Sequence, residues 1–318
     1  MSKKQGIFKL KILITGANGF IGNSLIKFLE KRFPEDEIVG TVRELNPSKI
    51  INSSRISYIE ANLLNPDLEN ILPKNIDVII HLAGKPNTFL ISKESRQQFL
   101  ENVTMTSNLL DFAEKTTAKR IIFSSSVCVY TGGNKLPFNE ESTALPSDSL
   151  GASKLASEAL LKAHSISNRV DTVCLRLFTV YGPNSREIQF IPEAIKKILS
   201  PEGPAIFGNG SVERDFVFID DVLEAFSCSI HRDLSKRFIT LNIGSGLAYS
   251  IEKIIDILKE SINPNKEIIF AKEKEKDRRI DPDYLADISL AKKYLDWKPK
   301  TDIHLGLERS IKSIKEDN

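Results

Sequence analysis

Three glycines spaced three apart, Gly16, Gly19 and Gly22, lie in Thr15-Gly16-Ala17-Asn18-Gly19-Phe20-Ile21-Gly22. Glycine at such positions permits a tight turn, close approach of backbone to a pyrophosphate and close helix–strand packing. The stretch follows the apolar run 10–15 and opens a segment with apolar residues at helical spacing: Phe20, Ile21, Leu25, Ile26, Phe28 and Leu29. A helix beginning there offers unpaired N–H groups and a partial positive charge to phosphate. The chemistry expected of Gly16, Asn18, Gly19, Phe20, Ile21 and Gly22 is therefore dinucleotide binding; the alternative is a glycine-rich turn that binds nothing. Roughly twenty residues further on, where such a fold reads the ribose, the chain has Gly40-Thr41-Val42-Arg43-Glu44. Arg43 suits a 2′-phosphate and stacking on adenine, and Glu44 suits a ribose hydroxyl. Arg43 tilts the expectation to NADP over NAD.

These residues need a scaffold, and the pattern supplies one. Strand-like runs at 10–15, 38–43, 56–61, 78–83, 120–125 and 171–177 alternate with helix-like segments at 19–31, 99–113 and 149–165. That alternation implies βαβ units and a parallel sheet. His81 is a lone strand histidine, read as structural. The second half is punctuated by Pro183, Pro192, Pro201, Pro204 and glycines at 203, 208 and 210, and reads as less regular, with a strand at 241–243 and helices at 251–261 and 288–295. The charged run 272–279 reads as a solvated surface.

Composition narrows the function classes. At 318 residues the chain has room for about two domains. Lys and Arg total 44 against 42 Asp and Glu, a net charge of +2, which argues against nucleic-acid binding by bulk charge. Cys128, Cys174 and Cys228 are too few and too scattered for a disulfide framework or a metal site, so a reducing, cytoplasmic setting is expected. No apolar run approaches ~18 residues, so no membrane span is expected, and the start shows no signal-peptide pattern.

Longer pieces carry a resemblance: TGANGFIG at 15–22, HLAG at 81–84, Asn102-Val103, FSSSVCVY at 123–130, GASKLASE at 151–158, RLFTVYGP at 176–183, FGNGSVERDFVFIDD at 207–221, RRID at 278–281 and DWKPKTDIHLGL at 296–307. Together they resemble the extended short-chain dehydrogenase/reductase family, in its NAD-dependent epimerase/dehydratase branch acting on nucleotide sugars. The resemblance runs from Lys11 to about Leu307. It implies an α/β fold: a Rossmann-type doubly wound parallel sheet with a smaller C-terminal α/β substrate-binding cap. The dinucleotide domain would span 9–182 with a return segment at about 215–246, and 183–318 would be mainly cap, interleaved with it.

By the same resemblance, Asn62, Leu63, Leu82, Ala83, Gly84, Lys85, Asn102, Ser124 and Lys154 would contact the cofactor. The family's chemistry is hydride transfer between a sugar carbon and nicotinamide, with a tyrosine moving the proton beside a lysine four residues on. A lysine at i+4 lies on the same helical face and depresses the phenol's pKa. Ser126 matches the hydroxyl position and Lys154 the lysine, but the tyrosine position is Leu150, which moves no proton. Three readings stay open: an enzyme with a displaced acid/base (Ser126, Cys128, Tyr181, or a substrate group with water), a catalytically silent nucleotide-sugar binder acting as sensor or partner subunit, or an introduced change in an active enzyme. Cys128 lies two residues past Ser126, so on an extended strand the two would point to one side; the alternative is a small buried hydrophobe.

At the substrate end, Thr179, Arg214, Arg278 and Asp281 match positions that hold the nucleotide-sugar diphosphate or sugar; arginine's planar fork suits two phosphate oxygens. Surface ion pairs, as of Arg214 with Asp215, are the alternative. The expected activity is oxidation or reduction at a ring carbon, most often C4, as in a 4-epimerase or 4-keto-sugar reductase. No metal is expected, and a homodimer through helices 99–113 and 149–165 is.

Overall fold

The computed structural model describes residues 9–46, 50–86, 93–130, 135–168, 170–186, 189–201, 203, 205–207, 210–271 and 283–316. In chain order the elements are β1 (Lys11–Thr15), α1 (Phe20–Arg32), β2 (Glu37–Val42), β3 (Ile56–Glu60), β4 (Val78–His81), α2 (Lys93–Ala113), β5 (Arg120–Ser126), α3 (Ser149–Asn168), β6 (Asp171–Leu177), β7 (Thr179–Tyr181), α4 (Phe190–Leu199), β8 (Ala205–Phe207), β9 (Glu213–Phe218), α5 (Ile219–His231), β10 (Phe238–Ile243), β11 (Ala248–Ser250), α6 (Ile251–Ile262), β12 (Ile269–Ala271), α7 (Ser289–Leu295) and α8 (Ile303–Glu316).

The chain divides into two units. One comprises Met1–Val129, Ala144–Arg176 and Phe226–Leu241; the other comprises Tyr130–Thr143, Leu177–Ala225 and Asn242–Asn318. The first is built on a seven-stranded sheet of order β10-β6-β5-β4-β1-β2-β3. β1 pairs in parallel with β2 and β4, β2 with β3, and β4 with β5. The order reverses between β1 and β4, the switch point at whose C-terminal ends doubly wound sheets open a crevice. Buried β1 and β4 read as continuous apolar runs because both faces are covered: Ile12, Leu13, Ile14, Ile79 and Ile80 are all fully buried. On one face Leu13, Val39 and Ile79 join Leu109 and Phe112 of α2 and Leu161 of α3 in a single core.

The second unit holds a three-stranded sheet, β11-β9-β7, and the pair β12-β8. β9 runs antiparallel to β11 and parallel to β7. This half is more regular than expected from its prolines, since α4, α5 and α8 are all present. Pro192 does not break α4 because it sits in the first turn, where no amide has an intrahelical acceptor. α2 also begins six residues ahead of the expected 99.

Candidate active site

The turn from β1 into α1 is shaped by its glycines. Gly16 has φ +69°, a left-handed conformation that glycine adopts without strain. A Cβ on Gly22 would lie 2.2 Å from the Gly16 carbonyl oxygen, so only hydrogen fits there. The Gly19 amide closes the turn onto Gly16 O at 3.0 Å, and Asn23 N to Gly19 O at 2.9 Å begins the helical ladder. The amides of Phe20, Ile21 and Gly22 precede that ladder. No side chain caps the helix and no acid stands in its first turn. A bare, positive helix end framed by glycines fits a pyrophosphate.

β4 delivers the facing strip. Leu82 and Ala83 each donate an amide to Thr15 Oγ1 at 3.1 Å. Asn102 accepts the Lys85 amide at 2.8 Å, and Gln98 and Asn102 donate to the Lys85 carbonyl. Asn102 also donates to Ser153 Oγ at 3.0 Å. Its amide is thus engaged in holding the strip between α2 and α3. Lys85 ion-pairs Glu101 at 2.5 Å and thereby holds that carboxyl below its usual range. Asn62 is exposed and caps Leu64 N at 3.1 Å, while Leu63 is buried with its carbonyl accepting from Asn108. Arg43 and Glu44 are exposed just beyond β2.

β5 and α3 carry the remaining groups of the first unit. Ser126 ends β5, and its Oγ accepts the Cys128 amide at 3.1 Å. The expectation that Cys128 shares a side with Ser126 does not hold, because Val127–Val129 forms a 3-10 turn and strand alternation stops at Ser126. Leu150 lies in the first turn of α3, 7% exposed, and Lys154 follows one turn later. Lys154 Nζ donates to Ser124 O at 2.5 Å and sits 4.6 Å above the Phe123 ring. A Cβ on Gly84 would lie 3.7 Å from that nitrogen, so Lys154 borders the β4 strip. Among the described residues no carboxylate comes within ion-pair distance of it. Burial pulls its ammonium down to about 8, against a smaller opposing pull from Glu158. Tyr58, the first unit's one tyrosine, lies on the edge strand β3 with its hydroxyl accepting Ile51 N, four strands from β5. No phenol of this unit stands in for residue 150.

In the second unit, Thr179 is half-buried opposite Phe216 in the β7–β9 register. Tyr181 is corrected from proton carrier to core residue: it is 3% exposed, packed edge-on to Phe216 and Phe218. Its hydroxyl faces the α8 backbone, where a Cβ on Gly306 would collide with it at 2.0 Å, and burial raises the phenol's pKa far from any working range. Arg214 stacks its guanidinium 4.6 Å from the Tyr284 ring. Asp215 is fully buried and accepts from Ser245 N, Ser245 Oγ, Gly246 N and Ala286 N. This clamp ties together segments separated by up to 71 residues, and no local sequence signal announces it. Arg278 and Asp281 lie outside the described residues, as does the charged run 272–279. Among the described residues no three His, Cys, Asp or Glu side chains converge as metal ligands, and no helix is long and apolar enough to cross a membrane.

The model of the NAD dependent epimerase/dehydratase family matches residues 12–244. A putative UDP-glucose 4-epimerase of Methanocaldococcus jannaschii is 31% identical, covering 96% of this chain and 99% of the relative. The dTDP-4-dehydro-6-deoxyglucose reductase of Escherichia coli is 29% identical, covering 96% and 97%. The crystal structure of a Tyr-to-Phe variant of Bacillus cereus UDP-glucuronic acid 4-epimerase, with UDP-4-deoxy-4-fluoro-glucuronic acid and NAD, superposes with a TM-score of 0.87. That match is at 30% identity and covers 97% of this chain and all of that one.

Proposed function

The chain belongs to the NAD dependent epimerase/dehydratase family, and from that premise we propose that it is an enzyme performing oxidation and reduction at C4 of a nucleoside diphosphate sugar. The reaction we assign is 4-epimerisation, with 4-keto-sugar reduction as its near relative. The observation that carries the reading is the pairing, in one unit, of a glycine-framed helix end fit for pyrophosphate with a buried lysine beside Gly84. The first unit takes the dinucleotide and the second the nucleotide sugar, with Arg214 on the diphosphate and Thr179 near the sugar; Arg278 and Asp281, outside the described residues, keep the substrate-binding role that the family resemblance implies.

We assign NAD as the resident cofactor. Arg43 alone favours NADP, but the Bacillus cereus relative holds NAD, and Glu44 is equally exposed for a ribose hydroxyl. When bound, the nicotinamide accepts and returns the hydride of the sugar carbon. Gly16, Asn18 and the amides of residues 19–22 hold the phosphates; Leu82, Ala83, Gly84 and Lys85 line the strip; Asn62, Leu63 and Ser124 complete the lining.

The proton needs its own carrier, because Leu150 has none to give. Lys154, with a folded pKa of about 8, changes charge in the working range, unlike buried His81, pushed down to about 3. Ser126 Oγ bonds the sugar hydroxyl, and Lys154 Nζ holds the proton that hydroxyl releases. Cys128 is the alternative carrier. Similarity along nearly the whole chain to a putative 4-epimerase and a 4-keto-sugar reductase favours turnover over a silent binding protein.

The free thiols of Cys128, Cys174 and Cys228 suit a reducing cytoplasm. A homodimer through α2 and α3 is supported by exposed Leu100, Leu160 and Ile166. Native mass spectrometry of the purified chain, then incubation with UDP-, dTDP-, GDP- and CDP-sugars and either cofactor, tests the assignment. Retained NAD and C4-inverted product are expected. Absence of turnover on every sugar and 4-keto-sugar would overturn it.

A further inference from the structure

A chain of buried hydroxyls runs from the end of β1 to α3 through one imidazole. Thr15 Oγ1 meets His81 Nδ1 at 2.8 Å, His81 Nε2 meets Thr106 Oγ1 at 3.2 Å, and Thr106 Oγ1 meets Ser157 Oγ at 3.0 Å. Thr15, His81, Thr106 and Ser157 are each no more than 1% exposed. Counting hydrogens fixes every direction. Thr15 Oγ1 already accepts the Leu82 and Ala83 amides, so its single hydrogen goes to His81 Nδ1. His81 must then carry its proton on Nε2 and donate it to Thr106. Thr106 spends its own hydrogen on Asn102 O at 3.0 Å, so Ser157 donates into Thr106.

The consequence reaches the phosphate turn. A Cβ on Gly16 would touch Ala83 N at 3.0 Å and Leu82 C at 3.1 Å, so the turn and the β4 strip are in close backbone contact. Without an acceptor at Nδ1, the Thr15 hydroxyl has no reason to aim its lone pairs at two amides, and buried amides left unpaired are costly. We propose that His81 and Thr15 act as a positioning pair for the dinucleotide: the Nε2–H tautomer of His81 orients Thr15, which fixes the Leu82 and Ala83 amides beside Gly16. This rests on the cofactor reading given above.

Two readouts test it on the whole 318-residue chain. In a long-range proton–nitrogen NMR correlation, the His81 ring shows the Nε2–H tautomer, unchanged from about pH 5.5 to 8.5, a window in which an ordinary histidine titrates. Lys154 is the charged group that acts on it, and it disfavours protonation. In NAD titrations, Thr15→Val and His81→Leu, each shown folded by circular dichroism, weaken binding about tenfold, and Thr15→Ser restores it. His81→Asn keeps an acceptor at the Nδ1 position and loses less than His81→Leu. An Nδ1–H tautomer, or folded Thr15→Val and His81→Leu proteins that bind NAD as the unchanged chain does, would overturn the pair. An unchanged chain that binds neither NAD nor NADP would instead overturn the cofactor reading, and with it the pair's role in binding.

Discussion

Glu158 and Arg176 form a buried fork: Arg176 Nε reaches Glu158 Oε1 at 3.0 Å and Nη2 reaches Oε2 at 2.7 Å. Ser125 Oγ adds a third donor to Oε1 at 2.5 Å. Glu158 stands one helical turn beyond Lys154, yet its oxygens are committed to Arg176 and Ser125. Lys154 therefore feels that carboxylate through space without a hydrogen bond to it, and burial dominates its titration.

Breaking the fork is costly. Glu158→Leu removes the carboxylate that Arg176 Nε and Nη2 both bond within the buried fork, and a loss of about 3–5 kcal/mol is expected in urea denaturation. Glu158→Leu combined with Arg176→Met removes both charges and should recover most of that loss. A single substitution costing no more than the double would show that the fork does not hold α3 to β6.

Lys154 should be costly to the fold at neutral pH. Its folded value of about 8 lies below the ~10.4 of an unfolded lysine. Between those values the unfolded chain binds a proton that the folded chain does not, so stability rises with pH there; below about 8 both are protonated and the burial cost is carried in full. Lys154→Met escapes that cost, less ~1 kcal/mol for the lost bond to Ser124. The variant should be more stable at pH 7 by about 2 kcal/mol, with the gap closing toward pH 10. Melting curves across that range check it, and a variant weaker at both ends would contradict the sign.

The phosphate turn has no room for a methyl group at Gly22. Gly22→Ala brings a Cβ within 2.2 Å of the Gly16 oxygen, a backbone atom that cannot swing aside. The turn must open, and NAD binding by fluorescence titration should fall at least about tenfold.

What could be read from the sequence follows the range of the interactions. β1, α1 and β4 are legible because apolar runs and glycine spacing are local signals, and β6 falls at the expected residues. α5 is hidden because it starts at Ile219, directly after β9 ends at Phe218, with no turn residue between. α4 shows its period only in Ile191, Ala194, Ile195 and Ile198, across a proline that looks like a breaker. Ser126 and Lys154 come from motif spacing. The surroundings that set their chemistry, the Ser124 carbonyl under Lys154 and the fork at Glu158, join residues 18 to 30 apart and needed the fold.

Leu150 offers the sharpest test of the acid/base assignment. With Lys154 as the proton holder, the unchanged chain's kcat should rise through about pH 8 as the amine gives up its proton. Leu150→Tyr places a phenol one turn before Lys154, on the same face of α3. The cation lowers the phenol's pKa and the pair takes over the proton. The expected result is a kcat higher by about 10²-fold or more, with the profile's rise moved to lower pH. A stability cost of about 1–3 kcal/mol for the larger ring in a buried site should accompany it. Lys154→Met in the unchanged background should abolish turnover, whereas Cys128→Ala should not. If Cys128→Ala were the inactive variant and Lys154→Met retained a pH-dependent kcat, the proton would belong to the thiol.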